Sequence, residues 1–200
     1  MGEKMSREFR SFAEDIRVET RADGTEELTG YAAVFDSKSV EMGWLQRFTE
    51  SIKPGAFGRS LRENPDVKAL LDHDTGQIIA RTLNGSLTLS EDSRGLKVSI
   101  VPVQTEDGKK AVEWVRSGLV DAMSFGFETV SDRWMVRDGL DHRELLDVNL
   151  YEVSLVAFPA YPATSIGVRS AEASFEAYAK TRQEKRRGYA RRLKLLSLGA

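Results

Sequence analysis

The chain contains no cysteine. Disulfides, thiolate catalysis and cysteine-ligated zinc are therefore excluded, and the absence fits a reducing compartment. Histidine is nearly as scarce. His73 and His142 are the only two in 200 residues, too few for a histidine-rich metal site. No cofactor or metal is expected. No apolar run approaches the roughly 20 residues of a membrane span. The N-terminal run Met1–Arg10 is charged and lacks the apolar stretch of a secretion signal, so a cytoplasmic location is expected.

What remains is a soluble composition, 40% hydrophobic and 30% charged, long enough for one domain with an appendage. Charge is unevenly spread. From Glu172 onward eight Lys/Arg stand against three Glu, a local +5, which leaves the other 171 residues at −7 within a net −2. The expected organisation is a loose leader at 1–13, a folded domain at 14–170 and a basic helical tail at 171–200.

Period-two alternation and turn residues predict many short strands. Asp15–Thr20 and Glu27–Phe35 flank Asp23-Gly24 as a hairpin. Strands are also expected at Gln46–Ile52, Val67–His73, Gln77–Leu83, Ser86–Leu89 and Gly95–Val103, with Asn84-Gly85 as a hairpin turn. A short helix is expected at Ala56–Glu63. Thr105, with Glu106 and Asp107 behind it and Gly118 at the far end, brackets another over Thr105–Ser117. Two long strands, from Val120 to as far as Val136 and from Arg143 to Phe158, are separated by Asp138-Gly139. The sum is a mixed but mainly β fold. It predicts a closed or nearly closed antiparallel β-barrel with flanking helices, plus the basic C-terminal helix.

Asp121–Phe127 is the most uneven of these strands. Met123, Phe125 and Phe127 share one face, and Ala122, Ser124 and Gly126 the other. The small face could be the floor of a substrate groove, with the Ser124 hydroxyl on it. A serine nucleophile needs a base, and the base needs an orienting partner. His73 closes an apolar strand face before a turn. His142 sits in the charged run Asp138–Glu144, where a solvated histidine is the ordinary expectation. Glu152 interrupts an apolar strand, and a carboxylate there is costly to bury alone. A serine elbow of the α/β-hydrolase kind is excluded. Strand continues after Ser124, and His142 follows by only 18 residues.

Five stretches occur in order: Gly30-Tyr-Ala-Ala-Val-Phe35, Ile52-Lys-Pro-Gly-Ala-Phe57, Leu70-Leu-Asp-His-Asp74, Met123-Ser-Phe-Gly-Phe127 and Leu150-Tyr-Glu-Val-Ser-Leu-Val-Ala-Phe-Pro-Ala160. Over residues 15–170 the chain resembles the HK97-type prohead serine proteases of tailed phages, distant relatives of the herpesvirus assemblin proteases. The resemblance implies a herpesvirus-protease-like barrel, with His73 as general base and Ser124 as nucleophile. Glu152 takes the third place, with His142 as the alternative. It implies cleavage of the scaffolding region of the major capsid protein, and of the protease itself, inside a procapsid in the host cytoplasm. The basic tail would then be a detachable address. Rival readings are an inactive capsid-assembly or scaffolding protein that keeps the barrel, and a basic-tailed binding module. No membrane partner is expected. Beyond Phe175, Tyr178 and Tyr189 the tail lacks the aromatic interleaving of a nucleic-acid binder. The oligomeric state is left open, a homo-oligomer included.

Overall fold

The computed structural model describes residues 7–12, 16–42, 47–64, 66–158, 171 and 174–184. Its spine is the long ribbon of β9 (Ala122–Arg137) and β10 (Leu140–Val156). Asp138 and Gly139 join them with φ of 53° and 81°. Two consecutive positive φ values make a type I′ turn, which Asp-Gly favours.

β1 (Glu8–Phe12) pairs antiparallel with the outer edge of β9. The other edge of β10 takes two strands end to end. β4 (Phe48–Ile52) lies along Asp141–Leu145 and β5 (Lys68–Leu71) along Glu152–Leu155, both parallel to β10. Helix α1 (Gly58–Glu63) carries the chain between them and satisfies the β10 backbone in the gap. Leu150 N–H donates to Ser60 Oγ at 2.8 Å, Val148 N–H donates to Ala56 O at 3.0 Å, and Leu150 O accepts from Asn64 Nδ2 at 2.8 Å. β6 (Asp74–Arg81) ends this sheet, ordered β1-β9-β10-β5-β6 with β4 also on β10.

A second sheet is ordered β2-β3-β8-β7, from β2 (Arg17–Thr20), β3 (Glu26–Val34), β8 (Gly95–Ile100) and β7 (Leu87–Glu91). Its Leu28, Ala32, Leu96, Val98 and Ile100 share one core with Met123, Phe125, Phe127, Val153 and Leu155 of the ribbon. Phe57 meets Phe125 edge-on at 5.2 Å, and Phe125 stacks on Phe127 at 4.9 Å. Helix α2 (Glu106–Arg116) adds Ala111, Val112 and Val115 to that core. Thr105 caps it by accepting the Gly108 N–H at 3.2 Å, as its sequence signature requires.

Three expectations need correction. The sheets are open, so the closed or nearly closed antiparallel barrel is not formed. Strand counting and alternation do not say which edges pair, and here β1 and β6 end one sheet while β2 and β7 end the other. The parallel β4 and β5 also depart from an all-antiparallel pattern, because α1 moves the chain forward along β10 rather than reversing it. Asn84-Gly85 is not a hairpin turn. It ends a 3₁₀ turn (Thr82–Asn84), with Gly85 at φ 75°, that passes the chain from one sheet to the other.

Residues 8–12, read from the sequence as leader, form β1. A buried ionic cluster fastens it to the ribbon. Arg143, 1% exposed, donates to Glu8 at 2.9 Å, Glu50 at 3.0 Å and Asp132 at 2.7 Å. Arg10 reaches Glu8 at 2.8 Å and Glu50 at 2.6 Å. Burial alone would lower the Arg143 pKa, but the carboxylates of Glu50 and Glu8 outweigh it and hold the guanidinium charged. In the region expected to be a basic helical tail, residues 174–184 are helical. Phe175 meets Trp134 of β9 edge-on at 5.0 Å, and Trp134 Nε1 donates to Ser174 Oγ at 2.9 Å. Residues 185–200 lie outside the described residues.

Candidate active site

Leu71 pairs with Asp74, so Asp72 and His73 are the whole connection between β5 and β6. Both take positive φ, 45° and 62°. Asp and His tolerate that region better than most residues, but each still costs on the order of 1 kcal/mol. The sequence reading put His73 on the strand face of Val67, Ala69 and Leu71. The strand instead stops at Leu71, and the turn aims the imidazole elsewhere. Two bonds tie the turn to the end of β10. Asp72 N–H donates to Leu155 O at 2.8 Å, and Ala157 N–H donates to Asp72 Oδ1 at 2.9 Å. Asp74 bonds Gly76 N–H and Gln77 instead of the histidine.

The ring thus comes to lie over β10, with His73 Nδ1 2.7 Å from Glu152 Oε1. Glu152 is 6% exposed and His73 24%. An ionised carboxylate only accepts, so in this bond Nδ1 is the donor. A β-bulge makes this meeting possible. Leu150 pairs with Phe127 and Glu152 with Gly126, which leaves Tyr151 as the extra residue. Simple alternation puts Leu150, Glu152, Ser154 and Val156 on one face. The bulge keeps Leu150 in the core and turns Glu152 to the opposite side. Gly126 makes the room there. A Cβ on it would stand 2.5 Å from Glu152 Oε1 and 2.9 Å from Phe9 Cε1. The second carboxylate oxygen accepts the Ser154 hydroxyl at 2.6 Å.

Ser124 lies two pairs further along the same ladder, opposite Ser154 on β10 and Ser11 on β1. It is two residues, or about 7 Å of strand, from Gly126. Met123, Phe125 and Phe127 fill the core face as the alternation implies, and Ser124 is on the other face, fully buried. Its hydroxyl donates to Arg10 O at 3.0 Å. Among the described residues no hydrogen bond joins Ser124 to His73. The structure therefore brings His73 and Glu152 together and sets Ser124 beside them, facing β1.

His142 is elsewhere. Ten residues of β10 separate it from Glu152, roughly 30 Å of strand. It is not solvated but fully buried, because β4 covers it. Its Nδ1 is 2.7 Å from Thr49 Oγ1 and its Nε2 is 3.0 Å from Ser51 Oγ. Burial, and then Arg137, lowers its pKa below the usual 6.5.

Sequence reasoning passed over Ser154 and Phe9, and placed Gly126 on the small face without its contact to Glu152. Ser154 had a usable signal, being a small residue two positions from Glu152. Phe9 had none, since Glu8-Phe-Arg-Ser-Phe12 mixes charged and aromatic side chains on one face. No three described His, Asp or Glu side chains are grouped to hold a metal ion.

A histidine held at one nitrogen by a carboxylate is an arrangement that serine hydrolases use to activate a nucleophile, and Ser124 stands two pairs further along the same ladder. Over 77% of this chain and 99% of the other, the fold is similar to the structure of the bacteriophage T4 capsid assembly protease, gp21, with a TM-score of 0.50 at 9% identity. No curated protein matches the chain. The family model for caudovirus prohead serine proteases (Peptidase_S78) matches residues 14–181, and the chain belongs to that family.

Proposed function

We propose that the chain is a serine endopeptidase of phage capsid maturation, with Ser124 as nucleophile, His73 as general base and Glu152 as the residue that orients it. The observation that carries this reading is the 2.7 Å bond from His73 Nδ1 to Glu152, made from a strained turn in a member of a serine protease family. His73 Nε2 takes the Ser124 proton as Oγ bonds to a peptide carbonyl carbon. The imidazolium, held by Glu152, returns that proton to the leaving amine as the C–N bond breaks. Water then attacks the ester through the same base, giving the carboxylic acid product and free Ser124.

The substrates are the scaffolding region of the major capsid protein and the protease itself, cut inside the procapsid in the host cytoplasm. No described helix is long and apolar enough to cross a membrane. The test is co-expression with the cognate capsid protein, with and without Ser124→Ala, followed by intact masses. The wild type should shorten the capsid protein and the variant should leave it whole, a loss of about 10⁶-fold. Equal masses from both would end this reading in favour of an inactive assembly protein.

A further inference from the structure

Glu152 can orient His73 only if its own carboxylate is held. The last torsion of a glutamate side chain has a broad, roughly two-fold profile. A carboxylate bonded through one oxygen can therefore still swing about that bond. His73 takes Oε1 at 2.7 Å. Oε2 accepts the Ser154 hydroxyl at 2.6 Å, the length of a hydroxyl–carboxylate bond. Among the described residues these two bonds are the carboxylate's hydrogen bonds. At 6% exposure, water has little access to replace either.

Ser154 is placed to be a fixed point. It is fully buried in the middle of its sheet, paired with Leu70 on β5 and with Ser124 on β9. Past the bulge at Tyr151 the register of β10 is regular again, so Glu152 and Ser154 share a face. A serine hydroxyl has one proton to donate, and here it goes to the carboxylate rather than to a backbone carbonyl.

We propose that Ser154 is a positioning residue of this site. It locks the carboxylate plane of Glu152, and through Glu152 the ring of His73. Ser154 itself exchanges no proton and forms no bond in the reaction. Its pairing with Ser124 gives the lock a second effect, since one residue then fixes the acid relative to the strand that carries the nucleophile. The proposal rests on the reading of Ser124, His73 and Glu152 above and deepens it. Sites of this kind work when the supporting side chains are themselves held, and a central strand holds Ser154 better than a loop would.

A double-mutant cycle in the full chain separates this role from a structural one. The readout is the rate of fluorophosphonate labelling at Ser124. Ser154→Ala should slow it about 10-fold in the wild-type background, but less than about 2-fold in Glu152→Ala, where the residue it acts through is gone. Spectra of the chain carrying ¹⁵N-histidine give a second readout. His73 should be the Nδ1–H tautomer in wild type and a mixture of tautomers in Ser154→Ala, with the His142 signals unmoved. An equal cost in both backgrounds overturns the proposal alone, and so do His73 signals that ignore Ser154→Ala. An adduct on Ser154 overturns it too, because Ser154 would then be the nucleophile. Glu152→Ala labelled as fast as wild type shows that the reading of Glu152 has failed, and the proposal falls with it. No labelling of Ser124 in any form ends the nucleophile reading with the same consequence.

Discussion

Gly126→Ala adds one methyl group at the point where Glu152, Phe9 and β9 meet. Its Cβ would stand 2.5 Å from Glu152 Oε1, 3.1 Å from Glu152 Cδ and 2.9 Å from Phe9 Cε1. Real Cβ contacts do not fall below 3.0 Å, so the carboxylate must retreat by about 0.5 Å. Its bond to His73 is only 2.7 Å long, and that retreat stretches or breaks it. The Gly126 backbone is not in the left-handed region, so alanine adds no conformational strain. Overpacking costs about 1–3 kcal/mol, and the stiffer backbone returns about 0.5–1. The net stability loss is therefore small, about 0–2.5 kcal/mol. Catalysis should suffer far more, because a serine protease whose histidine loses its orienting carboxylate falls by up to about 10⁴-fold. Capsid-protein cleavage and thermal unfolding, measured side by side, should show a kcat drop above about 10²-fold in a folded variant. Gly139→Ala, far from the site at a turn with φ 81°, should show the reverse: lower stability with kcat unchanged. A Gly126→Ala enzyme within about 3-fold of wild type would refute the role given to Glu152.

Other outcomes follow from the same geometry. Glu152→Gln keeps the shape but not the charge, and kcat should fall by about 10⁴-fold in single-turnover cleavage. His142→Ala should cleave normally, yet unfold at lower urea by about 2–4 kcal/mol, since it empties a buried site and orphans Thr49 and Ser51. If only His142→Ala stopped cleavage, the third residue would be His142. His142 also gives a pH signature. Its folded pKa is held below 6.5, so on acidification the unfolded chain takes up the proton first. This contribution to stability is complete above about pH 6.5 and is lost as pH falls through the folded value. The gap in urea midpoint between wild type and His142→Gln should narrow from pH 7.5 to pH 5, and a widening gap would contradict it. Arg143→Met leaves Glu8, Glu50 and Asp132 without their shared cation and should cost about 3–5 kcal/mol in denaturant melts.

Local structure was legible wherever a residue's own chemistry sets the backbone. Asp23-Gly24 marks the β2–β3 hairpin, Thr105 and Gly118 bracket α2, and Asp138-Gly139 folds the ribbon. What alternation cannot carry is partnership between distant strands. Nothing in Phe48–Ile52 or Lys68–Leu71 says that both will run parallel to β10, and the open sheets follow from that pairing. Asn84-Gly85 has the chemistry of a hairpin, but its flanking strands find different partners. The site was legible as residue types and less so as geometry. The apolar run Val67–Leu71 pulled His73 into a strand reading, although only the turn presents its ring to Glu152. Period two also fails at Tyr151, where a bulge in one strand is defined by its register with the other.

Two serines compete for the nucleophile's place. Ser154 lies opposite Ser124 and already bonds Glu152 Oε2 at 2.6 Å, while Ser124 bonds Arg10 O. Peptide mapping by mass spectrometry after prolonged fluorophosphonate treatment of the full chain distinguishes them. An adduct on Ser124, absent from both Ser124→Ala and His73→Ala and retained in Ser154→Ala, is the expected result. An adduct on Ser154, or one on Ser124 that persists without His73, would contradict the assignment of Ser124 and His73 as the working pair.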